Sequence, residues 1–181
     1  MFLAHEIKQR NIAEYLLYMW QIEDIIRSFG ADIDKIDTEL IAHLGLTAEQ
    51  QKQEHDWYES IIDMMRREDV MQKGHIQLVK NILIDLQDCH LHELQEGNDA
   101  VYVAKYHQIM PSVMLLKTKT TDPTISDLEM CFVFLYGIMM MRLQNKPLTP
   151  DTEKTAKAIG GFIALLVKKY DEQDKELNSE I

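Results

Sequence analysis

The densest run of ligand-type side chains in the sequence is Cys89-His90-Leu91-His92-Glu93. Successive helix positions turn by about 100°, so these groups fan out and cannot converge on one ion unaided. His90 stands apart because it continues an apolar stripe through Ile76, Val79, Leu83, Leu86 and Leu94. His107 follows Val103 and precedes Met110 and Met114, just before Pro111. Histidine titrates near neutrality, so two of them on apolar stripes could act as acid–base groups or line a pocket. The candidate pocket residues are His90, His107, Tyr15 and Tyr106. The plainer reading is that each histidine is a packed ring with its nitrogens hydrogen-bonded.

Other chemistries lack their signatures. A di-iron bundle needs Glu-x-x-His on two helices, and no Glu-x-x-His occurs. Glu39 and His43, and Asp88 and His92, lie four apart but on polar helix faces. No His-x-x-x-His, Gly-x-Ser-x-Gly or Gly-Lys-Ser/Thr phosphate loop is present. Lys117 and Lys119, with threonines nearby, could grip a phosphate, but a solvated loop explains them more simply. Met139-Met140-Met141 suits a methionine-rich core, although methionine also lines adaptable binding surfaces. No catalytic, metal-binding or cofactor-binding residues are expected.

The 181 residues fit one domain, with a net charge of -11 from 19 Lys+Arg against 30 Asp+Glu. That charge argues against nucleic acid and against anionic membranes as partners. Two separated cysteines, Cys89 and Cys131, fit a reducing cytoplasm better than a disulfide framework. Charges follow too soon after Met1-Phe2-Leu3-Ala4 for a signal peptide. The longest apolar run, Cys131 to Met141, falls short of the roughly 20 residues that span a membrane. A soluble cytoplasmic protein is expected.

Helical spacing then organises nearly the whole chain. It predicts a first helix over 4–29 stopped by Gly30, a short one over 32–44, and a third opened by the Thr47/Gln50 capping box and running to about 72. A fourth covers 75–95 and ends at Gly97, and a fifth starts near Asp99 with a kink or break at 108–110 imposed by Pro111. Ser126 with Glu129 caps a sixth, and Thr149-Pro150 starts a seventh running to about Tyr170. The expected fold is an all-α, single-domain bundle of six or seven helices over 1–170, with a charged frayed tail over 171–181. Its centre is the apolar helix near 126–144, expected to be dry on every side. Gly137 and the row Ala156, Gly160, Ala164, with Gly161 beside it, suggest that the last two helices pack unusually close.

The opening HEIKQRNIAEYLLYMWQIEDIIR, the KTKTTDPT loop and the LYGIMMMRL stretch together resemble an uncharacterised bacterial family, domain of unknown function 4924. The likeness runs through nearly the whole chain. It implies a small cytoplasmic bacterial protein and carries no site residues to transfer. The function expected is a non-enzymatic helical interaction module that self-associates or takes a protein partner, because aromatic and methionine side chains are abundant and no catalytic set is present. The alternative is a small-ligand binder with its pocket near His90 and His107.

Overall fold

The computed structural model describes residues 2–96, 99–122 and 124–179. These form eight α-helices and one 3-10 turn, with no strand among the described residues. The helices are α1 (Phe2–Arg10), α2 (Ile12–Ser28), α3 (Ile33–Glu39), α4 (Ala48–Arg67), α5 (Gln77–Gln95), α6 (Ala100–Lys117), α7 (Asp127–Leu143) and α8 (Pro150–Ser179), with the 3-10 turn at Ile41–His43. None is long and apolar enough to cross a membrane.

The count of eight, against six or seven expected, comes from Asn11. Its side chain accepts from the amides of Ala13 and Glu14, both at 3.0 Å, and so starts α2 afresh. Apolar periodicity runs straight through this point, which hides the break. The other helix starts lie where the sequence puts them. Thr47 and Gln50 form a full capping box, Ser126 accepts from the Glu129 amide, and Thr149 accepts from that of Thr152. Gly30, with φ +65, ends α2, while Gly97 lies outside the described residues.

The chain divides into two compact units, Met1–Ile82 and Leu83–Ile181, with α5 carrying residues of both. In the first unit Leu16, Met19, Ile26, Ile36, Ile62 and Met65 are almost free of solvent contact. Glu23 is buried among them, and its carboxylate accepts from the Ile76 amide at 2.8 Å. Its other oxygen meets His75 Nδ1 at 2.5 Å, and the His75 ring stacks on Trp20 at 4.6 Å. Arg27 donates to the carbonyls of Val70 and Gly74. Helix α2 thereby holds the 70–76 segment by four polar links and one stacked ring.

The second unit corrects three expectations. Helix α7 is not a dry rod. Leu128, Met130, Cys131, Phe132 and Ile138 are buried, but Val133 is 42% exposed and Leu143 57%. Helix α7 packs one side against α6 and α8 and leaves the other in contact with water. Close approach at the glycines is absent as well. A Cβ added at Gly137, Gly160 or Gly161 would meet nothing within 4 Å. Finally, α6 is not broken at Pro111, whose ring faces water while Tyr102, Ile109 and Val113 anchor the opposite side, so of the expected kink or break the break is absent. Helix α8 continues past Tyr170 to Ser179, and the last two residues of the expected tail lie outside the described ones.

Candidate functional site

His90 in the second unit and the Asp37–His55 pair in the first each belong to a cluster of titratable side chains with a defined geometry. The first surrounds His90, on the inward face of α5. Its Nδ1 shares a hydrogen bond with the Tyr102 hydroxyl at 2.7 Å, both groups buried. Tyr106 and Phe162 set their rings edge-on to the imidazole, at centroid distances of 4.8 and 5.6 Å. Tyr106 donates to Asp127 at 3.0 Å, and Lys117 donates to the other oxygen of that carboxylate at 2.8 Å. Helix α6 supplies both tyrosines because 102, 106, 109 and 113 fall on one helical stripe.

Burial and hydrogen bonding move each group here further from titrating at neutral pH. Burial lowers the His90 pKa, against the opposing pull of Asp127, so the ring stays neutral. Burial raises Asp127, but hydrogen bonds from Lys117 and Tyr106 and the Lys117 charge outweigh it, and the carboxyl lies below its ordinary range. Tyr106 is pushed up to about 12, by burial first and then by donation to Asp127. Burial pushes the Cys89 and Cys131 thiols to about 11 and about 12. Thiols so raised are poor nucleophiles. The cluster is a closed polar network.

Of the four candidate pocket residues, the structure brings His90 and Tyr106 together. His107 is exposed, with its ring 5.8 Å from that of Tyr106, and it does not continue the buried stripe. Helix α6 is apolar on almost every side, so spacing alone could not choose between stripes one residue apart. Tyr15 belongs to the first unit, where it is buried on α2 with Lys8 Nζ 5.7 Å above its ring. Burial raises its pKa too. None of these four residues lines any of three open cavities among the described residues.

Sequence reasoning missed the second cluster. Asp37 on α3 and His55 on α4 meet through Oδ2 and Nδ1 at 2.7 Å, each side chain about a third exposed. The pair borders an open cavity of about 320 Å³ whose wall also includes Ile41, Ala42, Ala48, Gln51 and Lys52. Hydrogen bonding to Asp37 raises the His55 pKa, and the nearby charges of Asp37, Glu59 and Asp56 add to it. His55 lies in the polar opening of α4, EQQKQEHD, which reads as a solvated face. Nothing in its spacing names a partner eighteen residues earlier.

The family model for domain of unknown function DUF4924 matches residues 1–177. The chain belongs to the DUF4924 family. No curated protein and no solved structure matches it. Among the described residues no group of three or more His, Cys, Asp or Glu is arranged to hold a metal ion.

Proposed function

We propose that this chain is a non-enzymatic, cytoplasmic helical interaction module that pairs with a second copy of itself through the outer face of α7. The observation that carries the reading is the exposure of that face. Val133, Gly137 and the half-buried Met140 lie along one helical line, and no charged residue occurs from Met130 to Met141. A chain with net charge -11 repels its copies over most of its surface, and an uncharged apolar face is where they meet at least cost.

Gly137 supports the same reading. Glycine inside a helix costs about 1 kcal/mol against alanine, and nothing among the described residues uses the space it leaves. In an antiparallel pair about a two-fold axis, Val133 of one copy seats over Gly137 of the other. The same contact is then made twice, as an isologous interface requires. Helix α7 carries Glu129 in its first turn and Arg142 in its last, so the antiparallel arrangement sets opposite charges end to end. The buried thiols of Cys89 and Cys131 stay protonated and are poor nucleophiles, which supports the non-enzymatic part.

The test is an isotope-filtered NMR experiment on an equimolar mixture of methyl-labelled and unlabelled chains. We expect intermolecular contacts from the Val133 and Met140 methyl groups to protons of the second copy's α7. A mixture with no intermolecular cross-peaks and monomeric tumbling rejects the proposal.

A further inference from the structure

We propose that the cavity between α3 and α4 binds a small organic anion, held by Lys52 and His55 against the apolar wall of Ile41, Ala42 and Ala48. The volume of about 320 Å³ reaches the range of small-molecule pockets, which starts near about 300 Å³. Lys52 and His55 border it beside Asp37, whose carboxylate is paired with His55, and among the described residues Lys52 makes no ion pair. Its charge is therefore uncommitted. His55 is pinned by Asp37 at 2.7 Å through Nδ1, which leaves Nε2 as the ring nitrogen available to a ligand. The Gln51 carboxamide adds a neutral donor to the same wall. Three small or branched apolar residues complete it, so a carboxylate carrying a compact apolar body fits better than a bare inorganic anion.

Asp37 acts as a positioning residue. It fixes the imidazole orientation and favours the charged ring, as do Asp56 and Glu59 from His55's own helix. The 3-10 turn contributes only Ile41 and Ala42 to the wall. Binding therefore strengthens as pH falls through the raised His55 pKa and weakens as pH rises through it. This inference stands on the first unit alone and is independent of pairing through α7.

Benzoate, titrated into the full chain, is the probe, with the His55 ring Cε1–H signal followed by NMR. We expect a saturable shift near about pH 6, at least tenfold weaker near about pH 8.5. Lys52→Met should lower affinity about tenfold, and Asp37→Asn should move the pH profile downward. Lys52 is exposed, so its variant keeps the fold, and an unchanged helical circular dichroism spectrum verifies that. A second variant, Lys52→Gln, repeats the test with a polar replacement. The proposal is overturned if benzoate gives no saturable shift up to about 50 mM, if binding is the same at both pH values, or if Lys52→Met binds as the parent does. Inorganic phosphate binding more tightly than benzoate also overturns it, because the apolar wall would then contribute nothing.

Discussion

His90 shows what a single residue contributes to the second unit. Burial keeps its ring neutral when folded, so the unfolded chain takes up a proton first as the solution is acidified. Its stabilising contribution is full above the unfolded histidine value of about 6.5 and declines as pH falls below it. We expect the urea midpoint to drop between about pH 7 and about pH 5, and to drop less in His90→Gln, whose side chain does not titrate. An equal drop in both proteins would remove His90 from the account. Glu23 makes a separate case in the first unit. Glu23→Ala leaves the buried Ile76 amide without its acceptor and should cost about 1–3 kcal/mol in urea unfolding, with faster amide exchange at Ile76. His90 was legible in the sequence because it sits on a stripe that is polar on its other faces. His107 was not, because α6 offers several apolar stripes. Asp37–His55 was invisible because only the packing of α3 on α4 brings the two together.

At the scale of elements, the caps carried most of what could be read ahead of the structure. Thr47, Ser126 and Thr149 start their helices as their side chains dictate, and Gly30 stops one. Asn11 has the same capping chemistry, with Glu14 three residues on, but unbroken apolar spacing from α1 into α2 masked it. The helical glycines were read the wrong way, since a glycine row signals either close packing or open space and only the neighbours decide. Open space leads to its own test. Gly160→Ala and Gly161→Ala should each stabilise the chain by about 0.5–1 kcal/mol in thermal or urea unfolding, because a methyl group meets nothing there. Destabilisation by either change would mean that an unseen neighbour occupies the space.

At the scale of the whole molecule, composition fixed the class and left the surface open. Helical spacing and 46% hydrophobic residues are enough to specify an all-α chain. They say nothing about which side of α7 is covered, because a helix apolar all round has no periodicity to read. That ambiguity is where function enters, since the uncovered side is the face assigned here to a second copy. Val133→Asp puts a charge at the middle of that face, where it would be desolvated between two copies of an already acidic chain. Sedimentation equilibrium of the parent chain and of Val133→Asp over a wide concentration range reads the outcome directly. The parent is expected to rise with concentration toward twice the monomer mass while Val133→Asp stays monomeric. A parent chain that remains at the monomer mass throughout, or a variant that associates as readily as the parent, would contradict it.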